Sequence, residues 1–103
     1  MGRTIRVRGS GVVRVPAYGI ADAEHLVEKE LGRLWPEARV RILEVSREGP
    51  ARLVEDFEVE YRIEGGVEAS AEEAVQARRE AFRHLRSLVQ GTRYALTRWE
   101  ERR

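Results

Sequence analysis

Hydrophobic and polar residues alternate near the start of the chain. Apolar side chains fall on odd positions and arginines on even ones, in the order Ile5, Arg6, Val7, Arg8, Val13, Arg14, Val15. A period of two predicts a β-strand over residues 4–15. The central Gly9-Ser10-Gly11 keeps this parity, so one continuous strand and a hairpin with a three-residue loop both fit. The hairpin would set Arg6 opposite Arg14, an unfavourable like-charge pair. We therefore favour a single strand, closed by Pro16, which cannot donate to the ladder.

The pattern then changes to a helical period. The apolar residues recur every three or four positions, at Ala23, Val27, Leu31 and Leu34. This spacing predicts an amphipathic helix with one apolar stripe. Asp22 is the predicted N-cap. The helix should end at Trp35-Pro36, because a residue that precedes proline is pushed out of the helical region.

Residues 38–47 and 52–63 are predicted to form a β-hairpin around the turn at 48–51. With Arg47 opposite Arg52, apolar residues and opposite charges meet. The pairs are Ile42 with Phe57, Val40 with Val59, Arg41 with Glu58, and Arg39 with Glu60. Leu43 and Val45 lie on the opposite parity from their neighbours, which predicts a bulge or an apolar patch near the turn.

A second helix is expected after the break at Glu64-Gly65-Gly66. Ser70 and Glu73 have the spacing of a capping box, with Ser70 as N-cap. A long apolar stripe follows, made of Ala71, Val75, Ala81, Phe82, Leu85, Leu88 and Val89. This pattern predicts a helix with one buried face.

Gly91 leaves two architectures open. If it ends the helix, residues 92–99 form a final strand and the order is β-α-β-β-α-β, which resembles the ferredoxin-like fold. If it does not, one long C-terminal helix follows, since Val75, Phe82, Val89 and Leu96 continue at sevenfold spacing. We favour the strand. The prediction is one α+β domain over residues 1–103, a two-layer sandwich whose antiparallel-rich sheet carries two helices on one face.

Composition narrows the class of protein. The 103 residues include no cysteine, which excludes disulfides, thiolate nucleophiles and cysteine zinc sites. The 19 basic and 18 acidic residues nearly cancel, which favours ion-pair networks over a polyanion partner. A charged surface poor in thermolabile side chains is typical of thermophile proteins. No leader or apolar run of about 20 residues is visible, so we expect a soluble cytoplasmic protein without membrane contact.

Candidate catalytic chemistry is sparse in this sequence. A phosphate cradle at Gly9-Ser10-Gly11 would need a helix N-terminus after it, and another β stretch follows instead. His25 and His84 are the only histidines, and no neighbouring pattern orients either towards a nucleophile or a metal. We therefore predict no catalytic, cofactor-binding or metal-binding residues and favour a non-enzymatic protein.

Nucleic-acid binding is the alternative hypothesis. It depends on four arginines of the second helix, Arg78, Arg79, Arg83 and Arg86. The open sheet face is less suited to nucleic acid, because it presents Glu58 and Glu60 instead of the aromatic residues that stack bases. We expect the arginines of the first strand to pair with these two carboxylates.

Self-association is the leading functional hypothesis, although the ligand and pathway stay unknown. Val12 and Val54, joined by Leu43 and Val45, are expected on the otherwise charged sheet face. Trp35 and Trp99 lie at the ends of elements, where large aromatics often mark contacts. The sequence thus predicts a homo-oligomeric, non-enzymatic protein that binds a partner or small ligand. The alternative is a weak nucleic-acid- or ribosome-associated protein.

Overall fold

The computed structural model describes residues 3–49, 54–70 and 72–102. Its elements, in chain order, are β1 Arg3–Ala17, α1 Ile20–Leu34, β2 Arg39–Glu48, β3 Glu55–Ala69, α2 Ala74–Gln90 and β4 Ala95–Arg102. The strands form one antiparallel sheet in the order β2-β3-β1-β4. The two helices pack on one face of it, so the predicted α+β sandwich with β-α-β-β-α-β order is confirmed.

The first strand is continuous, as predicted. β1 pairs with β3 along all its 15 residues, from Arg3 opposite Ala69 to Ala17 opposite Glu55. Pro16 does not close the strand, which was the expectation, but lies within it opposite Asp56. Its missing N–H is tolerated there because β4 pairs with β1 only as far as Arg14, which leaves one side of Pro16 at a sheet edge.

The core lies between the sheet and the helices. The odd-numbered residues of β1 and β3 point into it, and the largest fully buried side chains are Tyr61, Phe57, Leu31, Ile63 and Leu85. Helix α1 contributes Ala23, Val27 and Leu31 to this core, as its stripe predicts, whereas Leu34 is only partly buried.

Helix α1 starts earlier than predicted and ends where expected. Its N-cap is Gly19, so Asp22 is the third helical residue and not the cap. The Asp22 carboxylate accepts a hydrogen bond from the Tyr18 backbone N–H at 3.0 Å. An acidic residue in the first turn thus satisfies a backbone N–H just before the helix, as the acidic residue of a capping box does. Trp35 is the C-cap, in agreement with the Trp-Pro signal.

The β2–β3 register differs from the predicted one by four residues before Leu43 and by five after it. Ile42 pairs with Tyr61 and Val40 with Ile63, whereas Val45 pairs with Val59. The shift of four keeps residues 39–42 on their predicted faces, so alternation alone could not distinguish the two registers there. The turn residues 50–52 lie outside the described part of the chain.

Two local features explain the new register. Strand β3 does not break at Gly65-Gly66 but runs on to Ala69. The Trp35 ring packs against Gly65, where a Cβ would lie 2.5 Å from a ring carbon. The predicted irregularity is also confirmed, because the ladder shifts between Ile42 and Glu44 and leaves Leu43 as the extra residue of a bulge.

Helix α2 begins four residues after its predicted cap. Ser70 follows directly on β3, and its backbone N–H donates to the Glu80 carboxylate at 3.1 Å, so it does not cap the helix. Val75 is 66% exposed and Ala71 lies outside the described residues, whereas Ala77, Ala81, Phe82, Leu85 and Val89 are buried. Gly91 ends the helix, as favoured from sequence, with an ordinary φ of −78°.

Candidate functional site

The glycines of the β1 centre face the core and not an anion. A Cβ on Gly11 would lie 2.7 Å from the Tyr61 hydroxyl oxygen, and one on Gly9 would fall inside the Trp99 ring. Aromatic rings therefore fill the space that a phosphate would need, and these glycines permit a close approach to the backbone. The Tyr61 hydroxyl and Trp99 Nε1 are buried without a hydrogen-bond partner among the described residues. Burial raises the pKa of Tyr61.

The opposite side of the sheet, which neither helix covers, carries alternating charges. We call this side the open face. Ion pairs between described residues cross it, among them Arg6 with Glu64 at 3.1 Å, Arg14 with Glu58 at 3.7 Å, and Arg98 with Glu60 at 3.6 Å. The expected pairing of β1 arginines with Glu58 and Glu60 is thus right for Arg14 with Glu58. Glu60 instead pairs with Arg98 of β4.

Two rows of side chains cross the middle of the open face at right angles to the strands. The basic row is Arg41, Arg62, Ser10 and Glu100, and the acidic row is Glu44, Glu60, Val12 and Arg98, each in the order β2, β3, β1, β4. Each charged position of one row has the opposite charge in the other. Uncharged Ser10 and Val12 occupy the β1 positions and are nearly buried, at 8% and 7% exposure.

Most charges of these two rows have no partner. In the described part of the chain Arg41, Arg62, Glu44 and Glu100 make no ion pair, and Arg62 Nε is buried without a hydrogen bond. Like charges also meet directly across neighbouring strands, Arg41 opposite Arg62 and Glu44 opposite Glu60. Such cross-strand pairs are unfavourable. A depression of about 470 Å³ lies over the acidic row.

The four candidate arginines of α2 lie together on its exposed face. They border a groove of about 380 Å³, lined by Val75, Arg78, Arg79, Phe82, Arg83, Arg86 and Glu101. Arg86 is engaged, because its guanidinium donates to the Glu101 carboxylate at 2.7 and 2.9 Å. Arg78, Arg79 and Arg83 make no ion pair with any described residue.

The histidines lie on the surface, as predicted. His25 is exposed on α1 and His84 on α2. His84 borders a cleft of about 730 Å³ with Ser70, Ser87 and Glu80, but the Glu80 carboxylate already accepts from Ser70. Within the described residues no hydrogen bond orients His84, and no group of three or more His, Asp or Glu side chains could hold a metal ion.

Glu30 is a buried charge that the sequence patterns did not single out. It is only 4% exposed, pairs with Arg33 at 2.7 Å, and accepts from the Arg93 backbone N–H at 3.1 Å. The hydrogen bond from Arg33 lowers the pKa of Glu30, and the Arg93 N–H adds to this effect. The only sequence signal for the burial of Glu30 was its position beside Val27 and Leu31 of the apolar stripe. Glu30 ties α1 to the segment before β4, which is a structural role.

Comparison with protein-family models, curated proteins and solved structures finds no match to this chain. Neither helix in the described residues combines the length and apolar character needed to cross a bilayer.

Proposed function

We propose that this protein is a non-enzymatic, self-associating domain that works in the cytoplasm. The observation that carries the proposal is the open face, a whole sheet surface without a covering layer, on which four charged side chains have no partner among the described residues. Sheet faces are commonly covered by a second layer. A second protein surface of complementary charge would provide that layer here.

The length of the sheet also favours association. β1 and β3 run past both edge strands, so residues 3–7 and 65–69 form a two-stranded ribbon. The molecule is correspondingly long, with extents of 53 × 20 × 19 Å. A ribbon with free backbone edges invites pairing with another chain.

Molar mass in solution tests the proposal. Size-exclusion chromatography with light scattering should give a multiple of the 11.9 kDa chain mass, and the value should fall on dilution. A mass of one chain that persists to millimolar concentration would refute self-association.

Binding of nucleic acid through α2 is the second candidate function. It is favoured by one observation, the exposed group Arg78, Arg79 and Arg83, whose guanidinium groups have no ion pair in the described chain. Such a group attracts phosphates, and the affinity should fall steeply with salt. The binding expected is weak, since the helix also carries Glu80 and the protein as a whole is nearly neutral.

Fluorescence anisotropy with labelled single-stranded RNA tests this candidate. Replacing Arg79 and Arg83 by alanine should weaken binding at low salt about tenfold. Arg86→Ala is the matched control, because Arg86 is already engaged by Glu101, and it should have a smaller effect. Binding that is undetectable, or that does not respond to salt, would eliminate the candidate.

The composition further suggests resistance to heat. The seven ion pairs of the described residues include a buried carboxylate held by two arginines, Glu30 with Arg33 and Arg93. Networks of this kind gain importance at high temperature. Thermal unfolding below about 60 °C, within the ordinary mesophile range, would contradict a thermophile-like stability.

A further inference from the structure

We propose that the open face is the interface of a twofold-symmetric dimer in which the basic row of one copy lies over the acidic row of the other. This inference rests on the proposed self-association and names its surface, its partner and its geometry. The partner is a second copy of this chain.

Symmetry decides how two open faces can meet. A twofold axis that brings them face to face must lie in the plane between the sheets. An axis along the strands would keep each row over itself in reversed strand order, so that the two β3 charges, Arg62 and Glu60, would face uncharged Ser10 and Val12. An axis across the strands reverses the strand direction and sets each strand over its own copy. If it passes between the two rows, every position of the basic row lies over the same strand's position in the acidic row.

Within the two rows, all four strands are complementary in this arrangement. On β2 Arg41 meets Glu44 of the second copy, and on β3 Arg62 meets Glu60. On β4 Glu100 meets Arg98. On β1 the two small uncharged side chains meet, Ser10 and Val12, at the centre where buried charges would cost most. The flanking carboxylates Glu64 and Glu58 are already paired within each copy.

The second copy would also relieve two unfavourable features of the single chain. The like-charge pairs Arg41–Arg62 and Glu44–Glu60 would each gain a pair of opposite charges above them. Arg62 Nε, buried without a partner in one copy, would have a carboxylate within reach. Both features are unexplained if the open face meets only water.

The size of the face suits a stable dimer. Strands of up to 15 residues in a four-stranded sheet present roughly 700 Å² per copy at ordinary strand spacings. Specific interfaces commonly bury about 800 Å² per partner.

Charge reversal on β2 tests the geometry. Arg41→Glu would place a carboxylate over Glu44 of the second copy at two symmetric sites, and Glu44→Arg would place a guanidinium group over Arg41 of the second copy. Each variant should weaken dimerisation at least about 100-fold, because facing like charges disfavour an interface strongly. Sedimentation equilibrium of the full chain measures the dissociation constant.

The folding of the single chain provides an internal control. Arg41→Glu faces Arg62 across the strands and Glu44→Arg faces Glu60, so both changes replace a like-charge pair by an opposite-charge pair. Each variant should therefore remain folded by circular dichroism with an undiminished melting temperature once monomeric. A second control is Arg83→Glu on α2, which lies on the other side of the molecule and should leave the dissociation constant unchanged.

Complementation makes the test decisive. Mixing Arg41→Glu with Glu44→Arg should restore a dimer, because each mismatched charge then meets its opposite, and the double variant Arg41→Glu/Glu44→Arg should dimerise by itself. If the natural chain self-associates but neither reversal weakens it, the interface lies elsewhere and self-association stands. If the natural chain is a strict monomer at millimolar concentration, both proposals fail.

Discussion

Gly9 and Gly11 leave room for large core side chains, because each glycine carries only a hydrogen where another residue would carry a side chain. Two aromatic rings from neighbouring strands, Trp99 and Tyr61, occupy the volume above them. Gly65 plays the same part beneath Trp35. A sequence motif that resembles an anion-binding loop is thus a packing device, because its backbone faces the buried side of the sheet.

Gly9→Ala should lower the free energy of unfolding by about 2 kcal/mol, since the added methyl group would overlap the Trp99 ring and force the core to shift. Gly32→Ala is the matched control. Gly32 lies in α1 with nothing within 4 Å of an added Cβ, and alanine should stabilise that helix by about 0.5 kcal/mol. Urea unfolding measures both, and a Gly9→Ala chain as stable as the parent would contradict the packing role.

Glu30→Gln should reduce stability at neutral pH by about 1 kcal/mol, because a charge-assisted hydrogen bond to Arg33 becomes a neutral one. The folded-state pKa of Glu30 is below its ordinary value of 4.5. Its contribution is therefore complete above that value and is lost as the pH falls through the folded pKa.

The stability difference between the parent and Glu30→Gln should accordingly shrink as the pH falls below 4.5. Urea unfolding at several pH values would show this convergence. Glu28→Gln, on the exposed side of the same helix, should differ little from the parent at any pH. A difference for Glu30→Gln that persists in acid would mean that the amide disturbs packing instead of charge.

At the scale of elements, β2 shows how one residue changes which side of a strand faces the core. Val40 and Ile42 pack against the core before the bulge, and Val45 does so after it. Leu43 is the extra residue at which the alternation changes side, and it is 38% exposed. Leu43 and Glu44 both lie opposite Glu60. Without Leu43, the pairing of β2 with β3 would be regular along its whole length.

Deleting Leu43 should therefore preserve the fold, with Ile42 still opposite Tyr61 and Glu44 opposite Glu60. Backbone contacts between Val45 and Val59, measured by nuclear Overhauser effects, should be unchanged. Deleting Ser10 from β1 is the contrasting change, because β1 has no bulge against β3 and every later residue would turn to the other face. That chain should fail to fold.

For the molecule as a whole, the charges nearly sum to zero, but several charged side chains on the open face have no partner of opposite charge in the described part of the chain. The chain carries 19 basic and 18 acidic residues, but on β2 and β3 the basic and acidic rows separate the two signs on one face. Such an arrangement of charges determines the orientation in which two copies associate more than it raises their affinity.

Raising sodium chloride from about 0.05 M to about 1 M should weaken dimerisation at least tenfold, because the screening length falls from over 10 Å to about 3 Å. The melting temperature of a monomeric charge-reversal variant should change little, since exposed surface ion pairs contribute little to stability. Sedimentation and thermal melts over the same salt series separate the two effects. A dimer indifferent to salt would point to an apolar interface instead.

Local sequence patterns identify the kinds of elements and most of the faces that they bury. The twofold period of β1, the helical stripes over residues 23–31 and 81–89, the Trp-Pro stop, the Gly91 stop and the Leu43 irregularity are local signals, and each is confirmed. They follow from side-chain periodicity, which is a property of neighbouring residues and needs no knowledge of the rest of the fold.

How those elements meet depends on contacts between residues far apart in the chain. The register of residues 39–42 on β3 was wrong by four residues because an even shift leaves the alternation intact, and the bulge at Leu43 adds one more residue to the shift after it. Strand β3 was expected to stop at Gly65-Gly66 because a glycine pair usually breaks a strand, whereas Trp35, 30 residues earlier, fills the space beside it. The basic and acidic rows exist only in the observed register. The interface that we propose therefore depends on long-range pairing, which no local pattern in the sequence records.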